Sequence, residues 1–267
     1  MNKRDFMTKD GHNAVNRIAN ILEFLAVNKE GATFSEICCN FLIPKSSLHS
    51  LLYALCKRRF VSYNKNKRKY FLGDQLFTLG KEYGANSNLL GLINEELVKL
   101  TDKVKETCLF GVLVGNEVLY LLKQNPESMI YVTARPGFRL KAYGTAIGKA
   151  LLSQFDKTEL ETLYPGGLEP LTTNTIKDID ELYAQLCRAK EDGFYYEREE
   201  SSLHLRCIAR AIFFRQKVTA ALSVPFPVFE DIQEKRKVHI IKENLVVTQR
   251  SIEDIIAAKE QDWIYSN

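Results

Sequence analysis

The chain has 267 residues, of which 45% are hydrophobic and 26% charged, and its net charge is only +4. This composition is typical of a folded protein with an apolar core, and the length suits two domains better than one. The first eleven residues are polar, and no run approaches the roughly 18 apolar residues of a membrane span, so we expect a cytoplasmic protein with no membrane partner.

The positive charge is concentrated near the N-terminus. Residues 12–73 contain ten Lys or Arg against three acidic residues, a net charge of +7, whereas residues 74–267 contain 24 basic and 28 acidic residues. Such a division is typical of a polyanion-binding module attached to a domain with a different task.

A capping box opens the first helix of interest in this basic segment. In the run from Thr33 to Glu36, the Thr33 hydroxyl can accept from the Glu36 amide while the Glu36 carboxylate reaches back to the start of the helix. The helix is expected to end between Asn40 and Ile43. Pro44 then suits the first position of the next helix, because its φ is already helical and its missing N–H would be unpaired there.

The next predicted helix, from Pro44 to Arg59, separates an apolar stripe from a polar face. Its leucines recur at three- and four-residue spacing, while the other face carries short polar and basic side chains that suit base edges in a major groove about 12 Å wide. Taken alone, the pattern also fits an ordinary amphipathic helix with a solvated face. The predicted DNA contacts here are Lys45, Ser46, Ser47, His49 and Ser50, with Thr33 at the start of the preceding helix.

Two strand-like runs follow, joined by a cationic turn. Residues 60–63 and 69–72 are rich in aromatic and β-branched residues, and the asparagines of residues 64–68 tolerate turn geometry. We predict a hairpin whose Lys65, Lys67 and Arg68 contact phosphates or the adjacent minor groove. Helix, turn, helix and basic hairpin together predict a winged helix-turn-helix DNA-binding domain at residues 12–73.

The pattern changes after this domain. Helical spacing continues as far as a polar break at residues 84–88, which predicts a linker helix at residues 74–88. Residues 89–262 alternate strand pairs with helices, which predicts an α+β domain with a mixed or antiparallel sheet. The predicted strands are residues 108–114, 118–123, 129–134, 208–215 and 218–224, and the predicted helices are residues 89–104, 145–154, 157–163, 179–192 and 239–259.

Residues that commonly bind metals or perform catalysis are scattered. The six cysteines lack C-x-x-C spacing and are predicted to be reduced thiols in the core, and the four histidines form no cluster, so no metal or other cofactor is predicted. The run from Gly144 to Ala150 is similar to a phosphate loop. It is one residue too short and lacks the hydroxyl that would hold magnesium, so nucleotide binding is not predicted.

Several segments, in this order, resemble the IclR family of bacterial transcriptional regulators. Besides the helix-turn-helix and its hairpin, they are Ala14–Leu22, Tyr143–Leu152, Leu205–Ala209 and Ala220–Val224. The resemblance covers roughly residues 12–262. It implies a winged helix-turn-helix, a linker helix and a GAF-like C-terminal domain that binds a small-molecule effector, in a homodimer or homotetramer.

The resemblance also implies which residues line the effector pocket. They are Ala146 and Ile147 at a helix start with exposed N–H groups, Glu197 in an acidic loop, Cys207, and Ser223 on the last strand. His204 and Pro225 replace residues that are usual in relatives at the predicted pocket wall, which implies a different effector or a weak pocket. Ser50 stands where relatives often have Arg.

The sequence therefore predicts a DNA-binding regulator, controlled by an organic acid or a sugar derivative, that binds a palindromic operator. Two alternatives stay open. One is an enzyme that acts on a small metabolite and carries an accessory winged-helix module, although no nucleophile–base pair can be assembled from motif spacing. The other is a winged-helix protein that binds protein partners instead of DNA, which the charge of residues 12–73 disfavours.

Overall fold

The computed structural model describes residues 14–85, 88–127, 134–228 and 231–260, and the chain divides between residues 86 and 87 into two compact units. The predicted division into residues 12–73, 74–88 and 89–262 is finer than this and stays a prediction. The elements of the first unit are α1 (Ala14–Val27), α2 (Phe34–Phe41), α3 (Lys45–Lys57), β1 (Val61–Asn64), β2 (Lys69–Leu72) and α4 (Gln75–Ala85).

The helices of the first unit share one apolar core, which contains Ile21, Ile37, Leu48 and Leu52. The predicted capping box opens α2, and α2 ends where Leu42 adopts a left-handed conformation with φ 48°. Pro44 was predicted to be the first residue of this helix, and this is wrong. It precedes the first helical residue, Lys45, because its ψ of 136° is extended. Helix α3 also ends at Lys57, two residues before the predicted Arg59. The two central helices otherwise lie where the capping box and the leucine spacing predict them.

The hairpin packs against the end of α3. Strands β1 and β2 are antiparallel, and Ala32 adds a further bridge to Tyr70 through reciprocal backbone hydrogen bonds of 3.0 and 2.7 Å. Gly73, after β2, packs directly against the backbone of Arg59, since a Cβ at this position would lie 1.9 Å from the Arg59 carbonyl oxygen. The predicted winged helix-turn-helix is thus confirmed.

The second unit is built on a sheet. Its elements are α5 (Asn88–Val104), β3 (Cys108–Val114), β4 (Glu117–Gln124), β5 (Arg139–Lys141), a 3₁₀ turn (Ala142–Gly144), α6 (Ala146–Leu152), α7 (Lys157–Leu163), α8 (Ile179–Asp192), β6 (Tyr195–Arg198), β7 (Leu205–Phe214), β8 (Lys217–Pro227) and α9 (Asp231–Ala258). The described strands form one sheet in the order β5-β4-β3-β8-β7-β6, and every pair is antiparallel.

Each face of this sheet has its own apolar core. Helices α5 and α9 pack on one face, whose core includes Phe110, Ile208 and Leu245. Helix α6 packs on the other face with α7 and α8, where the core includes Tyr143 and Leu182. This arrangement confirms the predicted α+β class and makes the sheet antiparallel rather than mixed. Within the described residues, no helix is long and apolar enough to cross a membrane.

Some predicted elements need correction. Helix α9 begins at Asp231 rather than at His239, and strands β5 and β6 were not predicted, because one has three residues and the other is interrupted by charges. The predicted strand at residues 129–134 lies almost wholly outside the described residues. The prediction that the cysteines lie in the core is wrong for Cys39 and Cys187, which are exposed.

Candidate nucleic-acid interface and effector site

The polar face of α3 is open to solvent in the first unit. Lys45, Ser46, His49 and Ser50 are exposed and Ser47 is half-buried, while three leucines of the opposite face, Leu48, Leu52 and Leu55, are buried. The Ser50 hydroxyl donates a 3.1 Å hydrogen bond to the Ser46 carbonyl, so its oxygen is left to accept from a partner. This geometry is compatible with the predicted base contacts, which stay predictions.

Thr33 has a clear structural role. Its hydroxyl accepts from the Glu36 amide at 3.2 Å and donates to Glu36 Oε2 at 2.9 Å, so both functions of the hydroxyl are used within the cap. The hydrogen bonds from Thr33 lower the pKa of the Glu36 carboxyl. DNA contact by Thr33 stays a prediction, and the structure provides no free hydroxyl donor for it.

The turn of the hairpin presents three cations. Asn64 Oδ1 accepts from the Lys67 amide at 3.0 Å, and Arg68 adopts a left-handed φ of 52°, so the turn has a defined shape. Lys65, Lys67 and Arg68 are exposed and have no carboxylate partner among the described residues. Arg59, by contrast, is paired with Asp74. The hairpin tip therefore carries its positive charge uncompensated.

The residues predicted to bind an effector lie in the second unit, on the sheet face covered by α6. Glu197 of β6 is the register partner of Cys207 on β7, and Cys207 is the partner of Pro225 on β8. Ser223, two residues before Pro225 on the same strand, pairs with Ala209 and with Leu109 of β3. The structure thus places Glu197, Cys207 and Ser223 on neighbouring strands.

Ala146 and Ile147 lie at the start of α6 and are 1% exposed, in the same core as Cys207. The N–H groups that were expected to receive an effector at this helix start stay a prediction, but the Gly148 amide already donates to the Thr145 hydroxyl at 3.0 Å. Gly148 lets the helix approach the preceding turn, because a Cβ there would lie 2.0 Å from the Ala142 carbonyl oxygen. The similarity to a phosphate loop therefore has a packing explanation.

The sequence analysis placed Glu197 in an acidic loop, and this placement is wrong. It belongs to β6 and is 0% exposed. Its Oε1 accepts from the amides of Glu200 at 2.6 Å and Ser201 at 3.0 Å, while its Oε2 is buried and has no hydrogen-bond partner in the described part of the chain. Burial raises the pKa of the Glu197 carboxyl, and the hydrogen bonds it accepts only partly oppose this rise. A buried carboxyl with one unsatisfied oxygen is suited to contact a ligand.

A buried ion pair, absent from the sequence-based predictions, lies next to Glu197. Lys149 Nζ is 2.6 Å from Glu200 Oε1 and also donates to Gln185 Oε1 at 3.0 Å and to the Tyr196 carbonyl at 3.1 Å. Burial lowers the pKa of the Lys149 ammonium, and Glu200 acts in the opposite direction. A signal was present in the sequence, because Lys149 is the single charge in the apolar helix α6.

Tyr120 is another residue that the sequence analysis missed. It is 3% exposed on β4, and burial raises the pKa of its hydroxyl, with Cys207 and Glu197 contributing to the rise. The same nearby charge of Glu197 adds to the effect of burial in raising the pKa of the Cys207 thiol. Alternation with buried Val118 along β4 was the available signal for Tyr120.

Pro225 and His204, which were both predicted to lie at the pocket wall, differ in their burial. Pro225 is buried beside Cys207 in the sheet. His204 is not at a pocket wall, because its side chain is 91% exposed and its backbone adopts a left-handed φ of 63° in the turn before β7. Among the described residues, no group of three His, Cys, Asp or Glu side chains could hold a metal ion.

Two protein-family models match the chain and decide which family it belongs to. The model described as IclR helix-turn-helix domain matches residues 14–65, and the model described as bacterial transcriptional regulator IclR C-terminal matches residues 82–253. The chain belongs to the IclR family. It is a DNA-binding transcriptional regulator, and the predicted function is confirmed. The enzyme alternative is not supported, because the matched family and the curated relatives are transcriptional regulators.

Curated and solved IclR-type proteins agree with this assignment. The chain is 28% identical over 233 residues to the HTH-type transcriptional regulator KdgR of Escherichia coli K12, covering 86% of this chain and 88% of that protein. It is 29% identical over 223 residues to the transcriptional repressor AllR of the same strain, covering 83% and 82%. An IclR homolog from Microbacterium hydrocarbonoxydans, solved in complex with 4-hydroxybenzoate, has the same fold, with a TM-score of 0.79. The match covers 92% of this chain and 100% of the homolog, at 23% sequence identity.

Proposed function

We propose that α3 enters the major groove of operator DNA while the hairpin tip holds the adjacent backbone. The observation that supports this proposal is the pairing of an exposed polar helix face with three uncompensated cations at Lys65, Lys67 and Arg68. Phosphate contacts fix the position of such a domain on the duplex, and side chains on α3 read base edges. Acting on bacterial DNA, the protein would work in the cytoplasm.

The proposal includes self-association. A dimer places two α3 helices on half-sites about 34 Å apart, or a multiple of that distance, so the operator is expected to be roughly palindromic. Residues 74–88 are proposed to link the DNA-binding domain to the effector domain. Analytical ultracentrifugation of the full chain tests this part, and a monomer at the concentrations that bind DNA would contradict it.

The effector site is proposed to lie on the α6 face of the sheet, between Ala146 and Ile147 on one side and Glu197, Cys207 and Ser223 on the other. A buried hydroxyl, a buried carboxyl and a partly buried thiol in an apolar setting suit a small organic acid or a sugar derivative. The 4-hydroxybenzoate complex of the structural neighbour supports the organic acid class. The effector would act through a difference in affinity for DNA-competent and DNA-incompetent states.

A gel shift with the DNA upstream of the gene tests the whole proposal. The wild-type chain is compared with Lys67→Ala/Arg68→Ala, and each assay is repeated across a panel of organic acids and sugars. We expect specific binding by the wild-type chain, and its release or tightening by one compound that is not consumed. Binding that ignores the whole panel would contradict control by a metabolite, and turnover of a compound would favour the enzyme alternative.

A further inference from the structure

A small cavity of about 240 Å³ lies between the edge of the sheet and α9, on the sheet face opposite α6. Its apolar wall comes from Tyr196, Phe226 and Val238, which all belong to the core between the sheet and α9. Two arginines and a glutamate, Arg198, Arg206 and Glu234, line it as well, and Glu197 and Cys207 complete the lining. This volume is below the range of drug-sized pockets, so only a small ligand fits.

The two arginines of this cavity are direct neighbours. Arg198 of β6 is the register partner of Arg206 on β7, and like charges at opposed positions destabilise a sheet unless an anion compensates them. Arg206 Nη1 is paired with Glu234 in the first turn of α9. Arg198 has no carboxylate partner among the described residues, and its guanidinium lies 5.6 Å from the centre of the Tyr196 ring. Arg198 is therefore left without an ion-pair partner.

The remaining edge of Arg206 is also unsatisfied. Its Nε–H is buried and donates to no acceptor in the described part of the chain. The planar fork of a guanidinium matches a carboxylate, which accepts two parallel N–H bonds. The start of α9 adds the partial positive charge of a helix N-terminus. Two guanidinium groups, one missing acceptor and an apolar wall thus meet at one place.

We propose that this cavity binds a small organic carboxylate, with its oxygens on Arg206 and Arg198 and its apolar body against Phe226 and Val238. Glu197 and Cys207 of the proposed effector site also line this cavity, so the two sites adjoin. The two arginines, however, lie on the sheet face of Tyr196 and Phe226, which packs against α9. The proposal does not depend on the proposed function, since the argument uses only the charge and shape of the cavity. A ligand here would bridge the sheet edge and α9.

Benzoate is the probe of choice, because it combines a carboxylate with a small flat apolar body. Benzamide is the matched neutral compound, and inorganic phosphate supplies an anion without the apolar body. The full chain is labelled with ¹⁵N at arginine, and the Nε–H signal of Arg206 is identified by its loss in Arg206→Lys. We expect this signal to move and saturate with benzoate, to need at least roughly tenfold more phosphate, and to stay in place with benzamide.

Arg198→Met is the decisive variant, because Arg198 is exposed and its replacement breaks no ion pair. We expect it to weaken benzoate binding roughly tenfold, as the loss of a hydrogen bond between charged groups does. Arg139→Met is the control, since Arg139 is an exposed arginine on the opposite edge strand. An Arg206 signal that ignores benzoate, that responds equally to benzamide, or that titrates identically in Arg198→Met would overturn the proposal.

Discussion

Lys149 Nζ lies 2.6 Å from Glu200 Oε1, and the two side chains are only 2% and 7% exposed. This contact joins α6 to the turn that follows β6. The amides of Glu200 and Ser201 in the same turn hold Glu197 Oε1, and the hydroxyl of Thr175 holds the Glu200 carbonyl at 2.7 Å. The buried pair therefore fixes the position of the carboxyl that we propose for effector binding.

Lys149→Met should destabilise the fold, because it leaves the Glu200 carboxylate buried without its partner. Breaking a buried pair on one side costs about 3–5 kcal/mol of unfolding free energy. Urea unfolding followed by circular dichroism measures the loss. The double variant Lys149→Met/Glu200→Met is the control and should recover most of it, since apolar residues of similar volume replace both charges. A double variant as unstable as the single one would show that the packing, not the charge, matters.

Glu197→Gln tests the raised pKa of the buried carboxyl. Above the ordinary value of 4.5, the unfolded chain releases this proton while the folded chain keeps it. The unfolding free energy of the wild type therefore falls as pH rises. Glutamine keeps the acceptor oxygen and does not titrate. The stability of Glu197→Gln relative to wild type should therefore increase with pH above 4.5, by at most about 1.4 kcal/mol per pH unit, until the folded pKa is passed.

Urea unfolding of both proteins between mildly acidic and neutral pH gives this difference directly. Other carboxyls with shifted pKa values, such as Glu36, are present in both proteins and cancel in the comparison. A difference that is flat across the range, or that shrinks as pH rises, would show that folding does not raise the pKa of Glu197.

The first unit was well predicted because its signals are local. A capping box, leucines at helical spacing and a polar turn between aromatic strands each lie within a few residues of one another. The start of α3 was displaced at Pro44 because the proline ring fixes φ but leaves ψ free. Short-range chemistry therefore sufficed for the DNA-binding domain.

The second unit was predicted less completely, because its decisive contacts are distant in sequence. Glu197 was expected in an acidic loop, whereas it lies buried on β6, paired with Cys207 of the neighbouring strand. Lys149 and Glu200 are 51 residues apart, and no spacing rule joins them. The resemblance to a family named the strands that carry Cys207 and Ser223, but neither the ion pair nor Tyr120 followed from it.

Lys67→Ala/Arg68→Ala should weaken binding to operator and unrelated DNA alike. Both side chains project from the exposed hairpin tip and have no carboxylate partner among the described residues, so the fold should tolerate their loss. Each phosphate contact contributes about 0.9 to the slope of log affinity against log salt, and the double variant should lower the slope by about 1.8. Fluorescence anisotropy at several salt concentrations measures it.

A matched control for the hairpin tip exists in the second unit. Lys217→Ala removes an exposed lysine at the turn between β7 and β8, and it should leave both affinity and slope unchanged. An unaltered slope in Lys67→Ala/Arg68→Ala would remove the hairpin from the set of DNA contacts. A drop as large for Lys217→Ala would mean that only the total charge of the chain matters.

Ser223→Ala should separate effector response from DNA binding. Ser223 is 2% exposed on β8, and alanine fits the strand between Ala209 and Leu109 without a change in packing. Losing one hydrogen bond to the effector should raise the concentration needed for half-maximal response by roughly tenfold at most. The affinity for operator DNA without effector should stay the same.

Thr219→Val is the control, since Thr219 Oγ1 is a buried hydroxyl oxygen on the same strand with no partner in the described structure. Equal changes in both variants, or a loss of DNA affinity in Ser223→Ala, would assign Ser223 to the packing of the sheet instead of to the effector.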